Sequence, residues 1–274
     1  MSPQFCGVRK NNAWSPIPTN YYIYPPGGVL VASAAYDAFA EQYADRVPTD
    51  LDSSLTVEGL ATRHLLVALG DVKGQDVLDL GCGEGHVARR LAVSGGKVTG
   101  LDLSSELLRI ARQRSSGIEY VCGDAQDLQS FRDSCFDLVY SNLALMDIPD
   151  LVGTYRAVRR VLRPTRRFVF TLVHPCFCAP GGDVLTDEDG RFLARTVARY
   201  TEEGFWRSDG VGTVRSTVGA HHRRVSTYVN ELLAVGFNLR RLVEPTLPPA
   251  DYARASAQCY SKIPPVLLVE AVRD

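Results

Sequence analysis

No run of this 274-residue sequence is long and apolar enough to span a bilayer, and its opening residues, MSPQFCGVRKNNAW, contain no apolar core of a secretory signal. Neither a membrane protein nor a secreted one is expected, and a cytoplasmic location follows. An excess of one charge is missing too. Lys and Arg number 30 against 31 Asp and Glu, for a net charge of -1. No overall field draws nucleic acid or an anionic membrane, so neither is an expected partner. The densest basic stretch, Arg159, Arg160, Arg163, Arg166 and Arg167, reads as cations complementing the dipole at the end of a helix. The cysteines number seven, and Cys122 and Cys135 fall in strand-like segments, the pattern of reduced buried thiols. Cys176 and Cys178 stand one residue apart in HPCFCAP, but no second pair lies at ligand spacing, so no metal is expected. There is no internal repeat and no sign of a second core.

What is present organises around one domain. Residues 1–30 hold four prolines between Pro16 and Pro26, with Trp14, Tyr21, Tyr22 and Tyr24 following no period. They read as an extended or partly disordered arm. Its aromatics fold over a pocket or onto a second copy in a homodimer, and the sequence does not choose. Residues 31–274 form the domain, with 45% of the chain hydrophobic. SAAYDAFAEQYADR places Ala35, Phe39 and Tyr43 on one helical face, and a second helix runs from about Leu55 to Leu69.

Short apolar strands then alternate with helical segments. DVLDL, KVTGLDL, IEYVCGD, FDLVYSNLAL and RFVFTLV are five strands, and DLVGTYRAVRRVL repeats its apolar residues at helical period. Such alternation predicts an α/β fold with a doubly wound, mostly parallel sheet covered on both faces. The rhythm breaks between about residues 174 and 225, with one predicted helix, FLARTVARY, so this insertion is expected to be a lid or binding segment. It resumes with helix STYVNELLAVGF and the strands NLRRLVEP and PVLLVEAV.

The turn after the first strand, Gly81-Cys82-Gly83-Glu84-Gly85, is shaped for a ligand. Each glycine lets the backbone turn tightly or approach closely, and the helix HVARRLA presents its first N–H groups. Asp102, 17 residues past Gly85 at the end of the second strand, stands where an acid accepts from both ribose hydroxyls. The dinucleotide fingerprint G-x-G-x-x-G is not met, because the third glycine comes one place early and His86 takes its last position. Asp79, just before the loop, repels a pyrophosphate and suits an ammonium group.

LDLGCGEGHVARRLA, GLDLSSELLRIAR, GDAQDL and FDLVYSNLAL together resemble the class I, Rossmann-like S-adenosylmethionine-dependent methyltransferases, small-molecule type, from about residue 33 onward. The resemblance implies a seven-stranded sheet with an antiparallel last strand, the place of PVLLVEAV, and S-adenosylmethionine as cofactor. It implies that Asp79 and Gly81, with Gly83 and Gly85, hold the amino-acid end of that cofactor. Asp102 would hold the ribose, with Leu103 a further cofactor contact, Asp124 and Ala125 the adenine, and Asn142 would line the pocket near the sulfonium. Read without it, Asp124 is a turn-capping aspartate. The turn LRPTRRF departs from the family's Pro-Gly-Gly.

The sulfonium is an activated donor, so the protein has chiefly to align an acceptor and, where needed, remove a proton. His174, His221 and His222 at the edges of the insertion are candidate bases. Each is equally explained as a structural hydrogen-bonding group. Tyr36 is a further catalytic candidate and Tyr43 a cofactor contact, with helix packing the competing explanation. Phe177, Phe205 and Trp206 would wall a flat acceptor or form the insertion's own small core. A small organic acceptor, a metabolite or natural product carrying a hydroxyl, amine or nucleophilic carbon, is expected. The alternative is an enzyme of the same fold that binds the cofactor without transferring its methyl group.

Overall fold

The computed structural model describes residues 36–46, 55–208 and 214–274; the expected N-terminal arm lies outside them. Seven strands form one sheet: β1 (Asp76–Leu80), β2 (Lys97–Asp102), β3 (Glu119–Cys122), β4 (Phe136–Asn142), β5 (Leu162–Val173), β10 (Phe237–Val243) and β11 (Val266–Arg273). Their order is β10-β11-β5-β4-β1-β2-β3. β1 to β5 are parallel to one another, and β11 runs antiparallel to both β5 and β10. The sheet is therefore doubly wound with an antiparallel final strand, as the alternation and the resemblance led one to expect. Its order reverses between β1 and β4, and ligands bind such sheets at that switch point, beyond the carboxyl ends of the strands.

Burial on both faces explains the continuous apolar strands. On β4 and β5, Leu138, Tyr140 and Val169 point to one side, where Leu65 and Leu69 of α2 (Val57–Leu69), Val87 and Leu91 of α3 (His86–Val93) and Leu108 of α4 (Ser105–Arg114) cover them. Val139, Phe168 and Phe170 point to the other. There Tyr155 and Val158 of α5 (Leu151–Val161) and Tyr228 and Leu232 of α7 (Val225–Ala234) complete the core. Further upstream, α1 (Ala40–Arg46) packs Ala40 and Ala44 on Leu107 and Ile110 of α4. Local caps agree with the sequence: Thr56, Ser104 and Asp150 each accept a backbone N–H from the first turn of α2, α4 and α5.

Two local expectations need correction. The segment FLARTVARY is not helical. Phe192–Arg195 is strand β7, paired antiparallel with β6 (Val184–Thr186) in a hairpin where Leu193 is 62% exposed. With no facing surface to bury its apolar residues, helical spacing had nothing to act on. The expected turn LRPTRRF is instead the irregular start of β5: Phe136 pairs with Leu162 and Leu138 already with Arg167, so the intervening residues bulge, with Thr165 at φ 62° where glycine would be at ease. The basic stretch is tied down rather than free. Arg163 pairs with Asp76 and Asp137, Arg160 with Asp133, and Arg167 with Glu270.

The insertion continues with β8 (Gly204–Trp206), a short α6 (Val214–Thr217) and β9 (Ala220–His222), with β8 and β9 paired antiparallel. α8 (Ala255–Tyr260) precedes the last strand. Among the described residues the six cysteines form no disulfide, no group of His, Cys, Asp and Glu is arranged to hold a metal, and no helix is long and apolar enough to cross a membrane.

Candidate active site

At the switch point the carboxyl ends of β1, β2 and β4 open into a cleft of about 850 Å³ with its open mouth included. The loop after β1 is drawn across the end of β2, where the N–H groups of Gly81 and Cys82 both donate to the carbonyl of Leu101. Gly81 sits at φ 75°, and a β-carbon there would lie 2.5 Å from that of Ala144. Only glycine lets the loop pass so close to the residues after β4. Gly83 donates its N–H to Asp102 Oδ2 at 2.7 Å, while Ser104 donates to Oδ1 at 2.9 Å. Asp102 is thus oriented by two backbone N–H groups, and each oxygen keeps a lone pair for a ligand.

The electrostatics separate two acids of this loop region by their partners. Glu84, 1% exposed, is surrounded by His86, Arg89 and Arg114. Burial pushes its carboxyl up, but those hydrogen bonds win and hold it at about 2. It is a structural anion that stiffens the loop, and His86 is structural with it. Asp79, 2% exposed, has no ion pair among the described residues. Burial pushes its carboxyl up to about 7, with the Tyr140 hydroxyl opposing and Asp102 and Glu84 adding to the rise. A buried carboxylate without a cation is suited to receive one from a ligand.

Of the residues expected to contact the cofactor, Tyr43, Gly81, Gly83, Asp102, Leu103, Asp124, Ala125 and Asn142 line the cleft, as does Tyr36. Asp79 and Gly85 are not among the lining residues: Asp79 is buried in β1 just before the glycine loop, and Gly85 caps α3 at φ 81°. Asp124 Oδ1 accepts from the Gln126 N–H at 2.8 Å, so it caps its turn while also facing the cleft. Asn142 is fixed on both sides, donating to Thr62 Oγ1 at 3.0 Å and accepting from Thr171 Oγ1 at 2.7 Å.

The histidines and the insertion aromatics are not part of that lining. His174 is 1% exposed, its Nε2 paired with Glu244 at 2.8 Å and its Nδ1 accepting from the Cys176 N–H at 3.2 Å, so both nitrogens are engaged. His222 is buried, with Nε2 donating to the Tyr200 carbonyl at 2.8 Å. The His221 ring makes no hydrogen bond among the described residues and packs edge-on to Phe205 at 5.3 Å. Burial and the Arg223 cation push it down to about 4. Phe177 stacks near His174, and Trp206 packs against the main core. The lining residues that sequence reasoning missed include Asp147 and Gln126. Asp147 follows β4 in the cleft wall, where Tyr36 donates to it and Arg215 of the insertion pairs with it, and Gln126 lies beside Asp124.

Glycine loop, ribose-type acid and unpaired acid at the amino-acid end fit S-adenosylmethionine: a β-carbon would close the loop's approach at Gly81, and Asp79 lacks the cation an ammonium would provide. Fold and site define a Rossmann-like domain that takes a nucleoside joined to an amino acid rather than to a pyrophosphate. Comparison with known proteins agrees. A family model described as a methyltransferase domain matches residues 78–170. A putative S-adenosylmethionine-dependent methyltransferase from Listeria monocytogenes is 31% identical, with a TM-score of 0.69 over 79% of this chain and 98% of that one. The malonyl-[acyl-carrier protein] O-methyltransferase of Pseudescherichia vulneris is 34% identical over 139 residues, 51% of this chain and 52% of its own length. The fatty-acid O-methyltransferase of Mycolicibacterium smegmatis is 36% identical over 159 residues, 56% and 58% of the two. The chain spans about half the length of these curated relatives. It belongs to the class I S-adenosylmethionine-dependent methyltransferases, and S-adenosylmethionine is the cofactor of that family.

Proposed function

We propose that this chain transfers the methyl group of S-adenosylmethionine to an oxygen of a small organic acceptor held between the cleft and the insertion. The observation that carries the reading is the cleft itself: Gly81, Gly83, Asp102, Asp124 and Asn142 all line it, and Asp79, without an ion pair among the described residues, is buried in β1 just before the glycine loop. The choice of oxygen, among the hydroxyl, amine and carbon acceptors open to the sequence, is favoured by both curated relatives being O-methyltransferases of acyl compounds.

The cofactor, when bound, supplies a methyl group already activated by its sulfonium. The chain's residues have to bind and orient. Asp79 meets the ammonium, Asp102 the ribose hydroxyls, and Leu143, Ala144 and Ile148 give the far wall an apolar surface that excludes water from the methyl. His221, on β9 of the insertion and outside the cleft lining, is the one of the three candidate rings without a hydrogen bond among the described residues, and it accepts one from an acceptor hydroxyl held between the two. It is neutral near pH 7, which that role requires.

The test is an assay of labelled S-adenosylmethionine with a panel of carboxylic acids, phenols and amines, following S-adenosylhomocysteine release. Methyl transfer to an oxygen acceptor, with His221→Ala lowering kcat roughly tenfold or more and leaving cofactor affinity unchanged, is expected. Product from bulk tRNA alone, or turnover of an acceptor without S-adenosylhomocysteine release, overturns the proposal.

A further inference from the structure

The turn after β4, residues 145–149, is gripped by the insertion at two points. Arg223 is buried and donates to three carbonyls, those of Leu145 at 3.3 Å, Ile148 at 2.7 Å and Pro149 at 2.6 Å. Arg215 of α6 pairs with Asp147 Oδ1 and also donates to the Gly219 carbonyl at 2.8 Å. The second oxygen of Asp147 accepts from the Tyr36 hydroxyl at 2.7 Å. One carboxylate therefore joins a residue 111 positions before it to another 68 positions after it.

The connection continues beyond Asp147. Tyr36 packs edge-on against Tyr43 at 5.7 Å between ring centres, and the Tyr43 ring lies 3.7 Å from where a β-carbon of Gly83 would be. Arg215, Asp147, Tyr36 and Tyr43 thus run in contact from the insertion into the cleft lining, where Tyr43 faces the glycine loop at Gly83. The ion pair is mostly withdrawn from water, with Arg215 21% and Asp147 17% exposed. A pair so placed adds little net stability, because desolvation offsets attraction, but it fixes one geometry.

We propose that Asp147 is a positioning residue through which Tyr36 and Arg215 act as a single unit, holding the mouth of the cleft and the insertion together around the bound cofactor. This rests on the cleft being the cofactor site. Loss of either partner frees the other side of the same carboxylate, so the second loss adds little. That non-additivity is what separates one coupled unit from two independent contacts.

The measurement is the dissociation rate of S-adenosylhomocysteine, by competition in stopped flow, for wild type, Tyr36→Phe, Arg215→Met and the double variant. Each single change is expected to raise the rate roughly tenfold, and the double change by about the same factor rather than a hundredfold. Arg215→Lys, which keeps a cation for Asp147, is expected to stay within about threefold of wild type. Rates that multiply in the double variant, or unchanged rates with only a lower unfolding temperature, overturn the proposal and leave the cofactor assignment standing. No binding of S-adenosylhomocysteine by the folded wild type removes the cofactor assignment and this proposal with it.

Discussion

A carboxylate 2% exposed and without an ion pair among the described residues, such as Asp79, works against the fold until a cation joins it. Its proton is held to about pH 7 in the folded chain, against an ordinary 3.8. Stability from this group is therefore fully present below pH 4 and lost as pH rises through 7, by an amount on the order of 4 kcal/mol at most. Asp79→Asn should raise the apo protein's stability at pH 7.5 by roughly 2 kcal/mol, measured by denaturant unfolding, while S-adenosylmethionine affinity falls. In the wild type, affinity should climb with pH up to about 7 and then level, because the ligand's ammonium needs the ionised carboxylate. Titration calorimetry across that range checks it, and a flat profile would remove Asp79 from the site. Asp79 and Asp102 were legible in the sequence because each is defined by its distance from a glycine loop. Asp147 was not: in MDIPDL it reads as one more turn aspartate, and its partners Tyr36 and Arg215 are remote in sequence.

Among elements, the glycine loop and the insertion behave oppositely. The loop is local, so its spacing alone specifies tight turns ahead of a helix. The insertion has no such grammar. Its helical-looking segment 192–200 begins as a strand in an exposed hairpin, and of its three candidate histidines two are engaged by Glu244, the Cys176 N–H and the Tyr200 carbonyl, contacts no periodicity announces. One glycine of the loop and one outside it, both at positive φ, offer a comparison. Gly70, ending α2, has nothing within 4 Å of a β-carbon, whereas at Gly81 the Ala144 side chain is 2.5 Å away in the cleft wall. Gly70→Ala should cost roughly 1 to 3 kcal/mol of stability and leave cofactor affinity intact. Gly81→Ala should lower affinity by tenfold or more, since the loop must lift off its neighbours. Paired unfolding curves and binding titrations decide. Equal binding losses at both positions would mean that the loop's approach to Ala144 is not what shapes the site.

At the scale of the whole molecule, the doubly wound sheet does not by itself distinguish a methyltransferase from a dinucleotide enzyme, because both bind at the same switch point. The seven strands and their mostly parallel order were readable from the alternation of apolar runs, since burial on both faces forces it. What selects the ligand is a handful of polar atoms: Asp79 just before the loop, Asp102 turned by Gly83 and Ser104, and Asp124 beside Gln126. Binding through those atoms must appear as global stability, because a ligand that binds only the folded chain stabilises all of it. S-adenosylhomocysteine at about a hundred times its Kd should add roughly 2.7 kcal/mol, raising Tm by about 5 to 10 °C for a domain of this size. Asp102→Ala should abolish most of that rise, and NADH at the same concentration should give none, because its pyrophosphate would meet the Asp79 carboxylate. A rise with NADH that Asp102→Ala removes would show that the glycine loop tolerates a pyrophosphate despite Asp79, and the discrimination argued from that one buried acid would be lost.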